Sequence, residues 1–330
     1  MQIGIGLPNH LRDVRPAVIP EWASRAEKAG FSTLGTIGRI AYPGVMDTVA
    51  LAAAAGATRT IGLLPTVLLG PVWPPVLLAK EAAGIDGVSG GRLTLGLGLG
   101  GRADDFVVEG LGPRGLGKRL DRDLKVYRRV WRRERAGESN PAVPAGTRPV
   151  PLMFGGFVQA ALDRMVRWGE GYIGPSMPAA MVANVFESAR TAWRNAGREG
   201  SPRLVAIAYF AFGDIDRGRR NVRDYYSISG ETDGKPGRGG VHHGAAAVKS
   251  AVDAFAGVGA DELVINPTLD DIEEVARSLT PSCRRAVRNR RCGSERPATG
   301  EGIATRPGQS GSVGWGSSCQ IHHPYGGVWG

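Results

Sequence analysis

Residues 1–280 contain no cysteine; the three in the chain, Cys283, Cys292 and Cys319, all fall after Pro281. The body therefore has no thiol for a disulfide, a thiolate metal site or a cysteine nucleophile. Cys319 stands near His322 and His323, but the cysteine spacings match no standard zinc site, and no metal is expected. Long apolar runs are missing too. No stretch reaches the roughly 18 uninterrupted apolar residues of a membrane span, and Met1-Gln2-Ile3 leads into a strand pattern rather than a basic leader. The expectation is a soluble, cytoplasmic protein with no membrane role.

Acidic residues become scarce toward the C-terminus. The chain carries a formal charge of +10, yet the segment from Pro281 onward holds seven Arg, no Lys and two Glu, so half of the excess sits there. That segment is rich in Gly, Arg, Ser and Pro and shows no apolar period at 2 or 3.6, so it cannot offset the entropy of ordering itself. Its arginines have almost no aromatic residues between them, and nucleic-acid binding is not expected. The organisation read here is a body, 1–280, followed by a tail, 281–330, that is disordered or not the ancestral end of the domain, as after a frameshift.

Glycine, by contrast, is abundant: 50 residues, about twice the usual share. Several stand where an apolar strand pattern ends. Residues 61–101 are the clearest case, two glycine-punctuated strands bracketing one helix, which is a parallel βαβ unit. Strand patterns fall near 2–7, 32–37, 60–68, 93–99, 149–154, 171–175, 203–212 and 261–266. Helical patterns alternate with them near 16–29, 46–57, 75–87, 119–135, 157–169, 179–197, 245–258 and 270–279. Thr268 is placed to cap the last helix, and Gly30 to end the first in the left-handed conformation. Eight such units define a (β/α)8 TIM barrel whose site forms at the carboxyl ends of the strands; a doubly wound open sheet is the alternative. Residues 137–148 and 213–244 read as long loops, the latter in the position of a lid.

Several short motifs occur in a shared order: Gly30-Phe31, Ala55-Gly56-Ala57-Thr58-Arg59, Pro75-Val76, Ser89-Gly90-Gly91-Arg92-Leu93, Gly96 with Gly98, Phe154-Gly155-Gly156 and Gly259-Ala260-Asp261-Glu262. In this order and spacing, residues 1–280 resemble the bacterial-luciferase-like superfamily of flavin- and deazaflavin-dependent oxidoreductases. The resemblance implies a barrel, often a homodimer, that holds a reduced flavin at the strand ends. It implies a non-prolyl cis peptide at Thr66–Val67, after Pro65, beneath the flavin ring, with Gly98 beside the ring edge and Pro175 and Ser176 flanking it. It places the phosphate at Gly155, Gly156, Phe157 and Val158, where glycines and the free amides of a helix N-terminus suit an anion. Luciferase proper has a phosphate-binding arginine where this chain has Leu99, and Arg102, three residues on, is read as its substitute.

Departures from the resemblance bear on the chemistry. The histidine that relatives place after strand two is replaced by the pair Gly38-Arg39, and the glutamate of deazaflavin dehydrogenases after strand four by Gly101. Both absences favour FMN over a deazaflavin coenzyme. Candidate catalytic groups are then His10 after strand one, Arg39, and His243 with His242 at the end of the long loop. The glycines at 98–101 lack the acidic partner of a dinucleotide site, which implies a separate flavin reductase as partner. The function expected is an FMN-dependent monooxygenase that oxygenates a small organic substrate with O2 through a flavin peroxide. A deazaflavin-dependent hydride-transfer oxidoreductase and a flavin-binding protein without turnover are the alternatives. A chain ending at residue 280 is expected to fold and to bind cofactor like the full chain; loss of its circular dichroism signal or of binding would contradict the reading of the tail.

Overall fold

The structure, a computed structural model, describes residues 1–112, 114–135, 137, 140–227 and 240–278. The expected tail, 281–330, and the middle of the expected lid lie outside the described residues. Ten strands form one sheet: β1 (Gln2–Gly6), β2 (Thr33–Thr36), β3 (Gly62–Pro65), β4 (Leu68–Leu69), β5 (Leu95–Gly98), β6 (Leu152–Gly155), β7 (Gly171–Ile173), β8 (Arg203–Ala211), β9 (Val241–His243) and β10 (Glu262–Pro267). Their order is β3-β2-β1-β10-β8-β7-β6-β5-β4, with β9 added beside the far end of β8, and every named pair is parallel. This is a nearly closed barrel of the (β/α)8 kind. The expected third strand is two short ones, β3 and β4, with the cis Thr66–Val67 peptide between them.

Around the barrel run α1 (Val18–Ala29), α2 (Asp47–Ala57), α3 (Pro75–Ser89), α4 (Asp104–Val107), α5 (Leu116–Trp131), α6 (Gln159–Trp168), α7 (Ala179–Asn195), α8 (Ile215–Tyr226), α9 (Gly244–Gly257) and α10 (Glu273–Arg277). Strands buried on both faces need two apolar layers. Leu64, Met153, Ile173, Val205, Ile207 and Val264 fill the barrel interior. A larger cluster that includes Trp22, Leu78, Tyr127, Trp131 and Phe186 packs helices onto the sheet. Gly30 ends α1 at φ 89° as expected.

Two expectations are corrected. Residues 215–226 form α8 rather than loop, because the Asp214 carboxylate accepts the amides of Asp216 and Arg217 at 3.0 and 2.9 Å and caps the helix. Thr268 does not cap the last helix. Its hydroxyl donates to the Phe210 carbonyl at 2.9 Å, and the cap position of α10 is Ile272.

The seam between β3 and β5 is spanned by a bridge pairing Leu63 with Leu93. The Leu63 amide donates to the Arg92 carbonyl at 3.1 Å, and the Thr94 amide to the Leu63 carbonyl at 2.9 Å. The Arg92 guanidinium reaches the carbonyls of Ala55, Thr58 and Ile61 and the Thr58 hydroxyl at 2.5–3.1 Å. The Ser-Gly-Gly-Arg motif thus ties the C-terminal end of α2, where orphan carbonyls favour a cation, to the closing strand. No helix among the described residues is long and apolar enough to cross a membrane.

Candidate active site

A cavity of about 590 Å3 opens at the carboxyl ends of the strands, a size typical of small-molecule sites. Thr66, Val67, Gly98, Leu99, Arg102, Gly155, Gly156, Phe157, Val158, Pro175 and Ser176, all expected at a cofactor site, line it together. Pro65 does not; it ends β3, and its carbonyl lies against Gly96. Leu97, Leu120, Phe154, Ala161, Tyr172, Ile173, Met177, Ile207, Tyr226 and Arg164 complete most of the wall.

The floor depends on Val67. A Cβ placed at Gly98 would run into the Val67 side chain, and one at Gly155 would meet it at 3.1 Å, so glycine at both positions leaves Val67 uncovered. Gly156 adopts φ +143°, closed to ordinary side chains, and turns the chain from β6 into α6. No side chain caps α6 at Val158, and the free amides of an uncapped helix start suit an anion. The Tyr172 hydroxyl donates to the Gly156 carbonyl at 2.5 Å and fixes that turn. Burial pushes this phenol up to about 12, and it stays protonated. The Ser176 hydroxyl is buried without a hydrogen-bond partner among the described residues.

Two arginines reach the cavity. Arg102 lies over the rings of Tyr225 and Tyr226 at 5.3 and 5.0 Å. Arg164, which the sequence reading passed over, is buried. Its Nε and Nη2 donate to the Asp121 carboxylate at 2.7 and 3.1 Å, and Nη2 also to the Gly117 carbonyl at 3.1 Å. The available signal was its register: Ala161, Arg164 and Met165 share the inward face of α6, where a charge has no ordinary reason to sit.

The three expected catalytic groups do not line the cavity. Arg39 is committed elsewhere: it pairs with Asp104, donates from Nε to Asp105 at 3.2 Å, and donates to the Tyr225 carbonyl at 3.3 Å. Asp105 in turn accepts the amides of Ile40 and Ala41 at 2.9 Å each. This clamp joins the loop after β2 to α4. His10 is buried against Tyr225 and Tyr209, with ring centroids 5.6 and 6.1 Å away. Burial drives its pKa down to about 4, against the smaller opposing pull of the Leu7 and Pro267 backbones. His243 is exposed at the end of β9, directly before α9, and His242 beside it is partly buried.

A parallel barrel with a mostly apolar cavity at its strand ends is the architecture of a (β/α)8 enzyme that takes a small molecule. The family model for luciferase-like monooxygenases matches residues 1–277, and the chain belongs to that family. It is accordingly an enzyme of the flavin-dependent monooxygenase and oxidoreductase kind. An uncharacterized protein of Mycobacterium tuberculosis is 30% identical over 196 residues, covering 49% of this chain and 68% of that one. The fold is similar to that of an F420-dependent secondary alcohol dehydrogenase in complex with an F420-acetone adduct, at a TM-score of 0.68 and 16% identity over 86% of this chain and 99% of that one. It is similar also to the oxygenating constituent of 3,6-diketocamphane monooxygenase from Pseudomonas putida in complex with FMN, at 0.56 and 17% over 68% and 71%.

His10 and Asp47 make opposite contributions to acid stability. Burial lowers His10 from 6.5 to about 4, so between these values the unfolded chain holds a proton that the folded chain lacks, and stability is lost as pH falls. Burial raises Asp47 from 3.8 to about 6. The folded chain then holds the extra proton, and stability is gained as pH falls from 6 toward 3.8. A His10→Gln variant keeps only the second effect. Denaturant unfolding at pH 7 and pH 4 should show the variant gaining about 3 kcal/mol relative to the unsubstituted protein; a difference independent of pH would contradict the assignment.

Proposed function

We propose that the enzyme is an FMN-dependent monooxygenase that takes reduced FMN from a separate flavin reductase and uses O2 to oxygenate a small organic substrate. The observation that carries this reading is the cavity wall. Among its described residues there is no histidine, aspartate or glutamate, and its ionisable groups are Arg102, Arg164, Tyr172 and Tyr226. A hydride transfer that needs a protein acid has no carboxyl or imidazole to draw on there, whereas a reduced flavin brings its own reactivity toward oxygen.

The residues fit the group. The apolar wall around Val67 and Gly98 suits a flat ring, the Ser176 hydroxyl is a buried polar atom awaiting a partner, and the Gly156 turn opens a helix end suited to phosphate. In this reading Thr66, Val67 and Gly98 seat the ring, Pro175 and Ser176 bound its edge, and Gly155 through Val158 receive the phosphate. Leu97, Leu99, Ile173 and Ile207 exclude water, which prevents side reactions at the reduced ring. The dependence on a reductase is consistent with the neighbour from Pseudomonas putida, the oxygenating constituent of its monooxygenase.

A second copy of the chain is proposed as partner through α2 and α3. The exposed positions of these helices are Val49, Ala52, Gly56, Val76, Leu77, Lys80, Gly84, Gly87 and Val88, with Lys80 the one charge among them. Val49 is 59% and Val88 65% exposed. Helices this apolar on their outer side are normally covered.

Anaerobic titration with reduced FMN and with a deazaflavin coenzyme tests the cofactor. Reduced FMN should bind tightly, and its reaction with O2 should differ in rate from that of free reduced FMN. Tight binding of the deazaflavin alone, or re-oxidation at the free rate, would overturn the proposal. Analytical ultracentrifugation should give twice the chain mass, and Leu77→Asp with Val88→Asp should give monomer; a monomeric starting protein would contradict the dimer.

A further inference from the structure

Arg164 is an unusual residue to find in this wall. Its side chain is 7% exposed, and the charge is held at one edge only: Asp121, itself half-exposed, takes Nε and Nη2, and the Gly117 carbonyl takes Nη2 again. Nη1 makes no hydrogen bond with any described residue. A guanidinium clamped along one edge presents its other edge in a fixed direction, the arrangement that suits recognition of a phosphate or carboxylate.

Its neighbours narrow the ligand. A Cβ added at Gly117 would meet Arg164 Nη2 at 2.9 Å and Leu99 Cδ1 at 3.8 Å, so the guanidinium lies beside the Leu99 side chain and glycine at 117 leaves it room. Arg102, the other arginine of the wall, is stacked on Tyr225 and Tyr226. Arg164 also stands on α6, the helix whose uncapped N-terminus follows the Gly156 turn. A cation and a helix end thus stand on one element, both at the cavity, and each favours an anion.

We propose that Arg164, oriented by Asp121, is the cationic anchor for the cofactor's phosphate, delivered from α6 instead of from the end of β5. The inference rests on the flavin or deazaflavin reading above. It makes Arg164 a binding residue that acts on the phosphate and not on the ring.

The test compares the full chain with its Arg164→Met and Arg164→Lys variants in titrations with FMN and with riboflavin, which lacks the phosphate. The same pair of titrations is run for a deazaflavin with and without its phosphate-bearing side chain. The unsubstituted protein should prefer the phosphorylated ligand. Arg164→Met should weaken that ligand by about 30-fold, the effect of losing one hydrogen bond to a charged group, and leave the phosphate-free ligand unchanged. Arg164→Lys should keep most of the preference. Equal affinity of the unsubstituted protein for both members of a pair would overturn the inference without recourse to any variant. So would a parallel loss of both ligands in Arg164→Met, which marks a structural role. If neither FMN nor the deazaflavin binds the unsubstituted protein, the cofactor reading itself has failed and the inference falls with it.

Discussion

Arg92 closes the ring on which the site depends. The barrel's hydrogen-bonded sheet runs from β3 round to β4, and the two sides of the break meet through the Leu63–Leu93 bridge. Arg92 is part of that seam twice: its carbonyl accepts the Leu63 amide, and its guanidinium gathers carbonyls from the end of α2 and the approach to β3. Without the guanidinium those carbonyls would lose charged donors that contribute about 1.5–3 kcal/mol each. The consequence reaches the other end of the barrel. Thr66 and Val67 follow β3, Gly98 ends β5, and the cavity floor is built where these two segments lie side by side.

Charge is distributed with the same economy. The body's buried acids that face no cation, such as Asp47, sit apart from the cavity, and Arg39 is neutralised by Asp104 and Asp105 in a clamp that shapes the rim. What is left in the wall is two arginines, two tyrosines, a serine and a threonine among glycines and apolar groups. A site of this kind positions and shields a reactive cofactor more than it transfers protons.

Much of this was legible in the sequence because parallel strands bury both faces and read as short apolar runs, and because strand-end glycines mark where backbone must be approached closely. The barrel follows from those signals, whereas lining residues such as Thr66, Val67, Pro175 and Ser176 were expected through the family resemblance. Helix α8 was hidden because its residues, IDRGRRNVRDYY, carry a thin apolar stripe and are organised by one aspartate cap. Arg39 and His10 could be placed near the strand ends, but their partners are 65 and 199 residues away, Asp104 and Tyr209, and no local pattern announces them. Arg164 was missed for the opposite reason: its register put it inside, and a charged side chain at an inward position was not read as a signal.

The central claim is that the cavity at the strand ends holds a flavin with its ring on Val67 and its phosphate at the start of α6. A crystal structure of the full chain grown with FMN addresses it most directly. The account predicts the ring against Thr66, Val67 and Gly98, with the phosphate between the Gly156–Val158 amides and Arg164. Flavin bound outside this cavity, or bound in it with the phosphate turned to Arg102, would contradict the account.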